Sequence, residues 1–359
     1  MRPARSGLAV GALRGAAGVI VIVLAIGALA ACAGANPIDA LAAMGEGAFG
    51  DRYAMSETLV QAAPLAIIAL GVAPAVRAGV FTVGSEGQLI AGAAAATAIV
   101  LGVGSSAGPW LLPLGLAGGV LGGVVFAAPP ALLRGYFRVN EVLSTLLLNY
   151  VAGFGLTWLL KTSLAAHAVV ATPHSDALPA VALLPKLVEG ARLHAGVLAA
   201  PLAALLLGWW LRSPRGLVYQ IFASHRSLAA RLGLSEPRAV VTTMLVAGAA
   251  AGFVGWLQVA GLTGTLYPSV GGGLGFSGIL VAMLGGLRPL GILATALTLG
   301  ALTTGAQGLQ TGTGVPASIS IVTQGLLLIV AAFLFRGNQT PQAVAPDPAA
   351  ISAESVSNG

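Results

Sequence analysis

Between Arg77 and Gly102 the chain reads RAGVFTVGSEGQLIAGAAAATAIVLG, a run in which, after the opening arginine, Glu86 is the only charge among apolar and small residues. A helix of this composition suits a bilayer core of ~30 Å, which takes roughly twenty mostly apolar residues to cross. The acid is the anomaly. A carboxylate at membrane depth is costly unless it faces protein or water, so it marks either function or a structural pin. Gly79, Gly84 and Gly87 surround it, which suggests an interrupted segment packed within protein, where irregular backbone is tolerated at that depth.

The remainder of the 359 residues repeats the apolar part of this pattern: 57% are hydrophobic, only 8% are charged, and 51 are glycine. No soluble domain of this size has that composition, so the fold class is all-α: a polytopic membrane protein of about ten transmembrane helices, some broken or re-entrant. The formal charge of +6 does not point to nucleic acid, because the basic residues are scattered singly between apolar runs and read as topology signals. A single cysteine, Cys32, excludes an internal disulfide and any site needing two thiolates, and four dispersed histidines add no metal-ligand spacing. The N-terminus, MRPARSGLAVGALRG followed by VIVLAIGALA, ends in LAAC (Leu29 to Cys32), which resembles a lipoprotein cleavage box. Since everything downstream is itself apolar enough to span, an uncleaved first helix is the preferred reading.

Apolar runs between polar breaks give ten expected crossings: 15 to 33, 59 to 76, 86 to 104, 109 to 133, 140 to 160, 193 to 211, 239 to 260, 275 to 287, 289 to 308 and 317 to 335. With the N-terminus inside, thirteen basic residues fall on the cytoplasmic side and four, Arg52, Lys161, Lys186 and Arg192, outside. That bias puts both termini in the cytoplasm. The first outer loop, 34 to 58, carries Asp39, Glu46, Asp51 and Glu57 and is expected to be solvated; the second, Lys161 to His194, is expected to form a short amphipathic cap. The longest inner loop, Arg212 to Arg238, holds five arginines, with a short helix in its middle and a helix start at Ser235, Glu236 and Pro237. Residues 1–336 thus form one transmembrane domain, and 337–359 are expected to be a disordered cytoplasmic tail.

No catalytic constellation emerges. Ser175 lies between His174 and Asp176, but three adjacent loop residues cannot fold back into nucleophile, base and orienter. GLGFSG (Gly273 to Gly278) matches G-x-G-x-x-G with no strand before it, so close helix packing or a flexible backbone is the better account. The two lysines, Lys161 and Lys186, follow Leu160 and Pro185, which excludes a phosphate-binding P-loop. Inside or at the ends of crossings only Glu86 and Glu141 are acidic, and Glu141, Thr145 and Asn149 recur at i, i+4 and i+8 along one helix face. That stripe either lines a hydrophilic passage or is structural, with Asn140 capping the helix, Glu141 paired with Arg138 and Asn149 bonding a neighbouring helix. Thr304, Gln307 and Thr311 form a second stripe, of uncharged groups that suit hydroxyl-rich, neutral solutes.

Three stretches, in order, resemble one family: permease subunits of bacterial ABC importers of the ribose and branched-chain amino-acid group, in the branch handling nucleosides and simple sugars. GVFTVGSEGQL (Gly79 to Leu89) is similar to that branch's Gly-x-Phe-Asn-Ile-Gly-x-Glu-Gly-Gln signature. NEVLSTLLLNYVA (Asn140 to Ala152) is similar to Asn-Glu-Val-Ile-x-Thr-Leu-Met-Leu-Asn-Tyr-Ile-Ala, and GFSGILVAMLGGLRPLGI (Gly275 to Ile292) resembles the Gly-Phe-x-Gly-Ile-Ala-Val-Ala-Leu-Leu-Gly element. Thr82 departs from the signature's Asn, exchanging an amide for a smaller hydroxyl.

The resemblance implies a permease that pairs with a second related permease subunit, binds a cytoplasmic ABC ATPase that uses ATP-Mg, and receives solute from an extracytoplasmic substrate-binding lipoprotein in the bacterial cytoplasmic (inner) membrane. It implies no cofactor in this chain. Phe81, Thr82, Ser85, Glu86, Gln88, Glu141, Thr145, Asn149, Thr304 and Gln307 are the residues expected at the translocation path or gate. The segment Gly216 to Leu234 looks like the ATPase-coupling loop, with Gly216, Gln220, His225, Arg226, Arg231 and Gly233 expected at the contact. There the family's common Arg-Ala-x-Gly-x-Asn is replaced by Gln220, Ile221, Ala223 and His225 at the corresponding positions. The rival reading is a proton-coupled secondary transporter of a small polar solute with Glu86 or Glu141 as carrier.

Overall fold

The computed structural model describes residues 36–167 and 172–314, with isolated positions on either side. Apart from those positions, the expected crossings 15 to 33 and 317 to 335, the LAAC box and the tail from 337 lie outside the described residues.

The helices are α1 (Pro37–Phe49), α2 (Arg52–Arg77), α3 (Ser85–Val103), α4 (Leu111–Phe137), α5 (Glu141–Leu159), α6 (Ala199–Arg212), α7 (Pro214–Ser224), α8 (Arg226–Arg231), α9 (Glu236–Gln258), α10 (Leu274–Leu284) and α11 (Pro289–Thr313). A π turn, Val259–Thr263, prolongs α9. Among the described residues, seven helical stretches are long and apolar enough to cross a membrane, and there is no β-strand, only an isolated bridge between Lys186 and His194. The chain is therefore an all-α polytopic membrane protein. Each of the eight expected crossings between 59 and 308 coincides with a helix, but the one at 275 to 287 does not span. Helix α10 has 11 residues. At 1.5 Å per residue it reaches about 16 Å, half of a bilayer core.

Helix α2 is the hub. It is buried along nearly its whole length, and α9, α10, α11 and α6 pack around it. Its start is fixed by Asp51, whose carboxylate accepts the Ala54 N–H at 2.6 Å. The expected outer loop 34 to 58 is thus largely helical: α1 lies against α11, and the first turns of α2 begin at Arg52. Asp39, Glu46 and Asp51 are exposed, whereas Glu57 is only 5% exposed. The reason is that Thr58 donates to the Ala48 carbonyl at 2.9 Å, which draws this turn against α1, while Arg192 donates to Glu57 at 2.8 Å.

Helices α3, α4 and α9 meet along a seam of glycines. A Cβ built at Gly252 would lie 2.2 Å from the Gly119 carbonyl oxygen, one at Gly123 would lie 2.1 Å from that of Gly248, and one at Gly255 would lie 2.2 Å from that of Leu89. Small residues four apart let membrane helices approach until backbones touch, and van der Waals contact then supplies the attraction that lipid does not.

The second expected outer loop packs as a cap over the turn after α9, and among the described residues it holds one short 3-10 turn, at Ala180–Ala182. It is strapped to the turn after α9: Ser175 N–H donates to the Leu266 carbonyl, Leu178 N–H to Gly264 and Leu184 N–H to Ala260. The Ser175 hydroxyl accepts the Leu266 N–H at 3.0 Å and donates to the Asp176 carbonyl at 2.8 Å, a turn-forming role rather than a nucleophilic one.

A polar junction at membrane depth

The chain leaves α2 at Arg77, whose guanidinium donates twice to the Leu287 carbonyl, and turns back through Gly79 at φ +74°. Residues 80–83 then run without helical bonds until α3 begins at Ser85 with no side-chain cap. A helix start inside a membrane leaves N–H groups orphaned unless protein supplies acceptors.

Helix α5 supplies them. The Asn149 side-chain oxygen accepts the Gly87 N–H at 2.9 Å, its amide donates to the Val83 carbonyl at 2.9 Å, and the Thr145 hydroxyl accepts the Val83 N–H at 3.3 Å. Thr82 adds a long bond from the Gly84 N–H at 3.5 Å. Thr145 and Asn149 are therefore spent on backbone. Asn140 caps α5 through the N–H groups of Val142 and Leu143, and Glu141 binds Arg134 at 2.8 Å rather than Arg138, the partner that the structural alternative named; Arg138 is left-handed at φ 55°. Asn149 sits nine residues beyond that cap, about 13 Å along the axis.

Glu86 reaches the other way. One carboxylate oxygen accepts the Gly273 N–H at 2.9 Å, and the other accepts the Gly275 N–H at 2.7 Å. These are the first donors of the half-helix α10, where the helix dipole concentrates positive charge and an anion is stabilised. The glycines of GLGFSG are there for approach: a Cβ at Gly275 would lie 2.2 Å from the Glu86 nitrogen. All three stretches singled out in the sequence converge on this one junction.

The junction also holds polar capacity that it does not use. Gln88 is 1% exposed, and both its amide atoms, like the Ser85 hydroxyl, lack a hydrogen-bond partner among the described residues. Each such atom left unpaired costs ~1–3 kcal/mol. Beside it, a cleft of about 850 Å³ runs between α3 and α5, with apolar walls that include Ile90, Ala94, Phe126 and Leu156 and a mouth at His167 and Asp176 under the cap. The Asp176 carboxyl is held below the usual carboxylate range by the backbone N–H of His167 first and its imidazole second, and burial pushes the nearby loop residue His194 below the ordinary histidine value.

The other expected path residues lie elsewhere or at the edge. Phe81 is partly exposed, Thr304 on α11 donates to its own helix at Gly300, and Gln307 is exposed; no hydrogen bond joins either α11 residue to the junction. The expected coupling loop is two short helices, α7 and α8, broken at His225. Gly216 is pressed against the Trp210 carbonyl, Gln220 donates to Leu211 and Gly216, Arg226 binds Glu236 at 3.0 Å, and His225, Arg231 and Gly233 are exposed. Sequence reading missed the Arg134 and Arg192 ion pairs and the backbone donors of Gly273 and Gly275; a carboxylate and a glycine run almost two hundred positions apart carry no sign of their contact.

Residues 54–332 match the family model described as "Branched-chain amino acid transport system / permease component". The chain is 32% identical to a guanosine ABC transporter permease protein of Bacillus subtilis over 87% of its own length and 91% of the relative's. It is 30% identical to a glucose ABC transporter permease protein of Haloferax volcanii, over 86% and 84% of the two lengths, and 28% identical to a nucleoside ABC transporter permease protein of Lactococcus lactis, over 83% and 84%. No solved structure matches the chain. A match over most of the chain, with its three signature stretches gathered at one broken-helix junction, makes this protein a member of the branched-chain amino acid transport system permease family and the membrane-spanning permease subunit of an ABC importer.

Proposed function

We propose that the subunit imports nucleosides, with simple sugars as the nearest alternative, through a path it forms with a second, related permease. The observation that carries this is the similarity to permeases named for guanosine and for nucleosides. A separate cytoplasmic ATPase hydrolyses ATP-Mg and docks on residues 212–238, while an extracytoplasmic lipoprotein delivers solute. The membrane is the bacterial cytoplasmic one, with both termini inside, and 337–359 form a tail outside the transmembrane domain. The arginine distribution supports that orientation, and so does the pairing of Glu57 with Arg192 at the opposite end of α2 from Arg77.

In this reading the junction is a gate, not a proton carrier. Both Glu86 oxygens are engaged by backbone donors, which favours a fixed side chain holding α10 against α3. The free polar atoms of Gln88 and Ser85 suit a state in which α10 has moved and water or a hydroxyl-rich solute reaches them. The test is uptake of labelled guanosine and glucose in cells lacking their own nucleoside uptake, with the permease co-expressed with candidate ATPase and lipoprotein partners. Guanosine uptake is expected to exceed glucose uptake and to vanish without the ATPase; uptake indifferent to the ATPase would sink the reading.

A further inference from the structure

Three helices end with cations at one face of the bundle: α2 at Arg77, α6 at Arg212, and α9, which begins there, with Arg238 in its first turn. Arg215 follows at the start of α7. Arg77 is committed to the Leu287 carbonyl, but the guanidinium groups of Arg212, Arg215 and Arg238 are exposed and have no partner among the described residues.

A cleft of about 430 Å³ opens between α2, α6 and α9, with Arg215 in its wall. It has two unlike ends. Trp210, Arg215, Tyr219 and Thr242 surround the end nearest the arginines, and Leu70, Ala203 and Ala250 form the other. Chain direction fixes that gradient: α6 runs from Ala203 to Trp210 and on to Arg212, and α9 runs back from Ala250 through Val246 to Thr242 and Arg238. The polar end is firmly built, since the Tyr219 hydroxyl lies 2.7 Å from that of Thr242 and its ring packs 5.4 Å from Trp210. Leu206 and Val246 on the rim are 57% and 49% exposed, so the cleft opens sideways, out of the bundle. Leu206 and Val246 lie on helical stretches long and apolar enough to cross a membrane, so lipid has access to the cleft from that side.

We infer that this cleft holds one anionic phospholipid, its acyl chain along Leu70, Leu206 and Val246 and its phosphate on Arg215, with Arg212 and Arg238 flanking. An apolar trough ending in aromatic groups and unpaired arginines matches the tail, interfacial region and charged head of such a lipid in order. A zwitterionic lipid brings a cation along with its phosphate and so leaves the net positive charge of the three arginines uncompensated. A protein partner docking on the outer faces of α7 and α8 has no long apolar chain to fill the trough. The bound lipid ties α2, α6 and α9 to α7, the first half of the segment proposed to meet the ATPase, so membrane composition would act on coupling.

The test is lipid retention by the full chain purified with its partner subunits, measured by native mass spectrometry after incubation with phosphatidylglycerol or phosphatidylcholine of identical chains. The wild type is expected to retain phosphatidylglycerol preferentially. Arg215→Gln should reduce that preference roughly fivefold, the scale of one basic side chain's attraction to an anionic lipid surface. Val246→Trp, which fills the trough and leaves the arginines in place, should abolish retention. Equal retention of the two lipids, or a preference that neither variant changes, overturns the proposal. So does loss of the ATPase from both variants with lipid retention intact, which would assign this face to the protein partner. No transported solute is needed, so failure here is distinct from failure of the substrate reading.

Discussion

Two regions in the middle of the bundle meet the same difficulty, close packing without water, by opposite means. Along α3, α4 and α9 the side chains are stripped away until backbone meets backbone at Gly119, Gly123, Gly248 and Gly252. At the junction the backbone is broken, and Glu86, Thr145 and Asn149 supply the partners it lost. The seam needs no particular chemistry but has no room; the junction needs particular acceptors and donors. The seam should therefore answer to volume, and the junction to hydrogen-bonding capacity at constant volume.

The largest effect should come from volume added to the seam. Gly252→Leu puts its first carbon 2.2 Å from the Gly119 carbonyl oxygen, and backbone cannot yield as a side-chain tip can. Overpacking of a tight core costs about 1–3 kcal/mol, and more where backbone must move, so the variant should fail to accumulate as folded protein in detergent extracts. Gly153→Ala, with nothing within 4 Å of the added carbon, is the matched control and should not lower thermal stability, since Ala also favours the helix more than Gly. Equal yields for the two would break the contrast.

Next in size is Glu86→Gln, which keeps volume and removes charge. The amide presents only one acceptor to the two N–H groups of Gly273 and Gly275, at a loss of about 2–3 kcal/mol for a charge-assisted pair and a correspondingly lower unfolding temperature. Transport should fall yet keep its dependence on ATP and its pH profile; a variant that lost pH dependence would return Glu86 to the role of proton carrier. Asn149→Leu should cost about 1–3 kcal/mol, because the Gly87 N–H and Val83 carbonyl are left without partners in a buried site. Thr145→Val removes one long bond and should cost less than either.

The sequence disclosed these two regions unequally. The GAAAG run at Gly248 to Gly252 and the paired glycines of α4 are local patterns that the sequence reading did not single out, whereas the polar stripe of α5 appears as an i, i+4, i+8 spacing. What the stripe touches is not local. A passage-lining side chain and one that pins a neighbouring backbone have the same composition and period, so only the distances from Thr145 and Asn149 to Val83 and Gly87 separate them. The shortness of α10 was legible, since the expected run 275 to 287 is already too short to span; what was not is that Glu86 accepts the donors that start this helix. Glu57 misled by position, since a carboxylate near an expected loop reads as solvated until α1 and Arg192 close over it.

The smallest effect belongs to the cap, which is held neither by volume nor by a mid-membrane charge but by backbone bonds to the turn after α9. His194 lies there 4% exposed, against Gly196 and Gly261, with one ring nitrogen lacking a partner. Burial lowers its proton affinity from the ordinary value of 6.5. The unfolded imidazole therefore takes up a proton as pH falls through that value while the folded one does not, and wherever the unfolded state binds more protons, acid lowers stability. Asp176 contributes in a separate, more acid window: its carboxyl is held below 3.8 by His167, so its contribution is present above that value and is lost only as pH falls through the folded value. Acidifying from about pH 7 to about pH 5 should thus loosen the cap at His194. The protection of the Leu184 amide, which bonds Ala260 beside that ring, measured as its exchange rate relative to the intrinsic rate at the same pH, should fall in this window in the wild type and not in His194→Phe, while the Gly275 amide held by Glu86 stays protected in both. If the Gly275 amide opened in the same window, cap and junction would be one titrating unit and the gate would respond to pH after all.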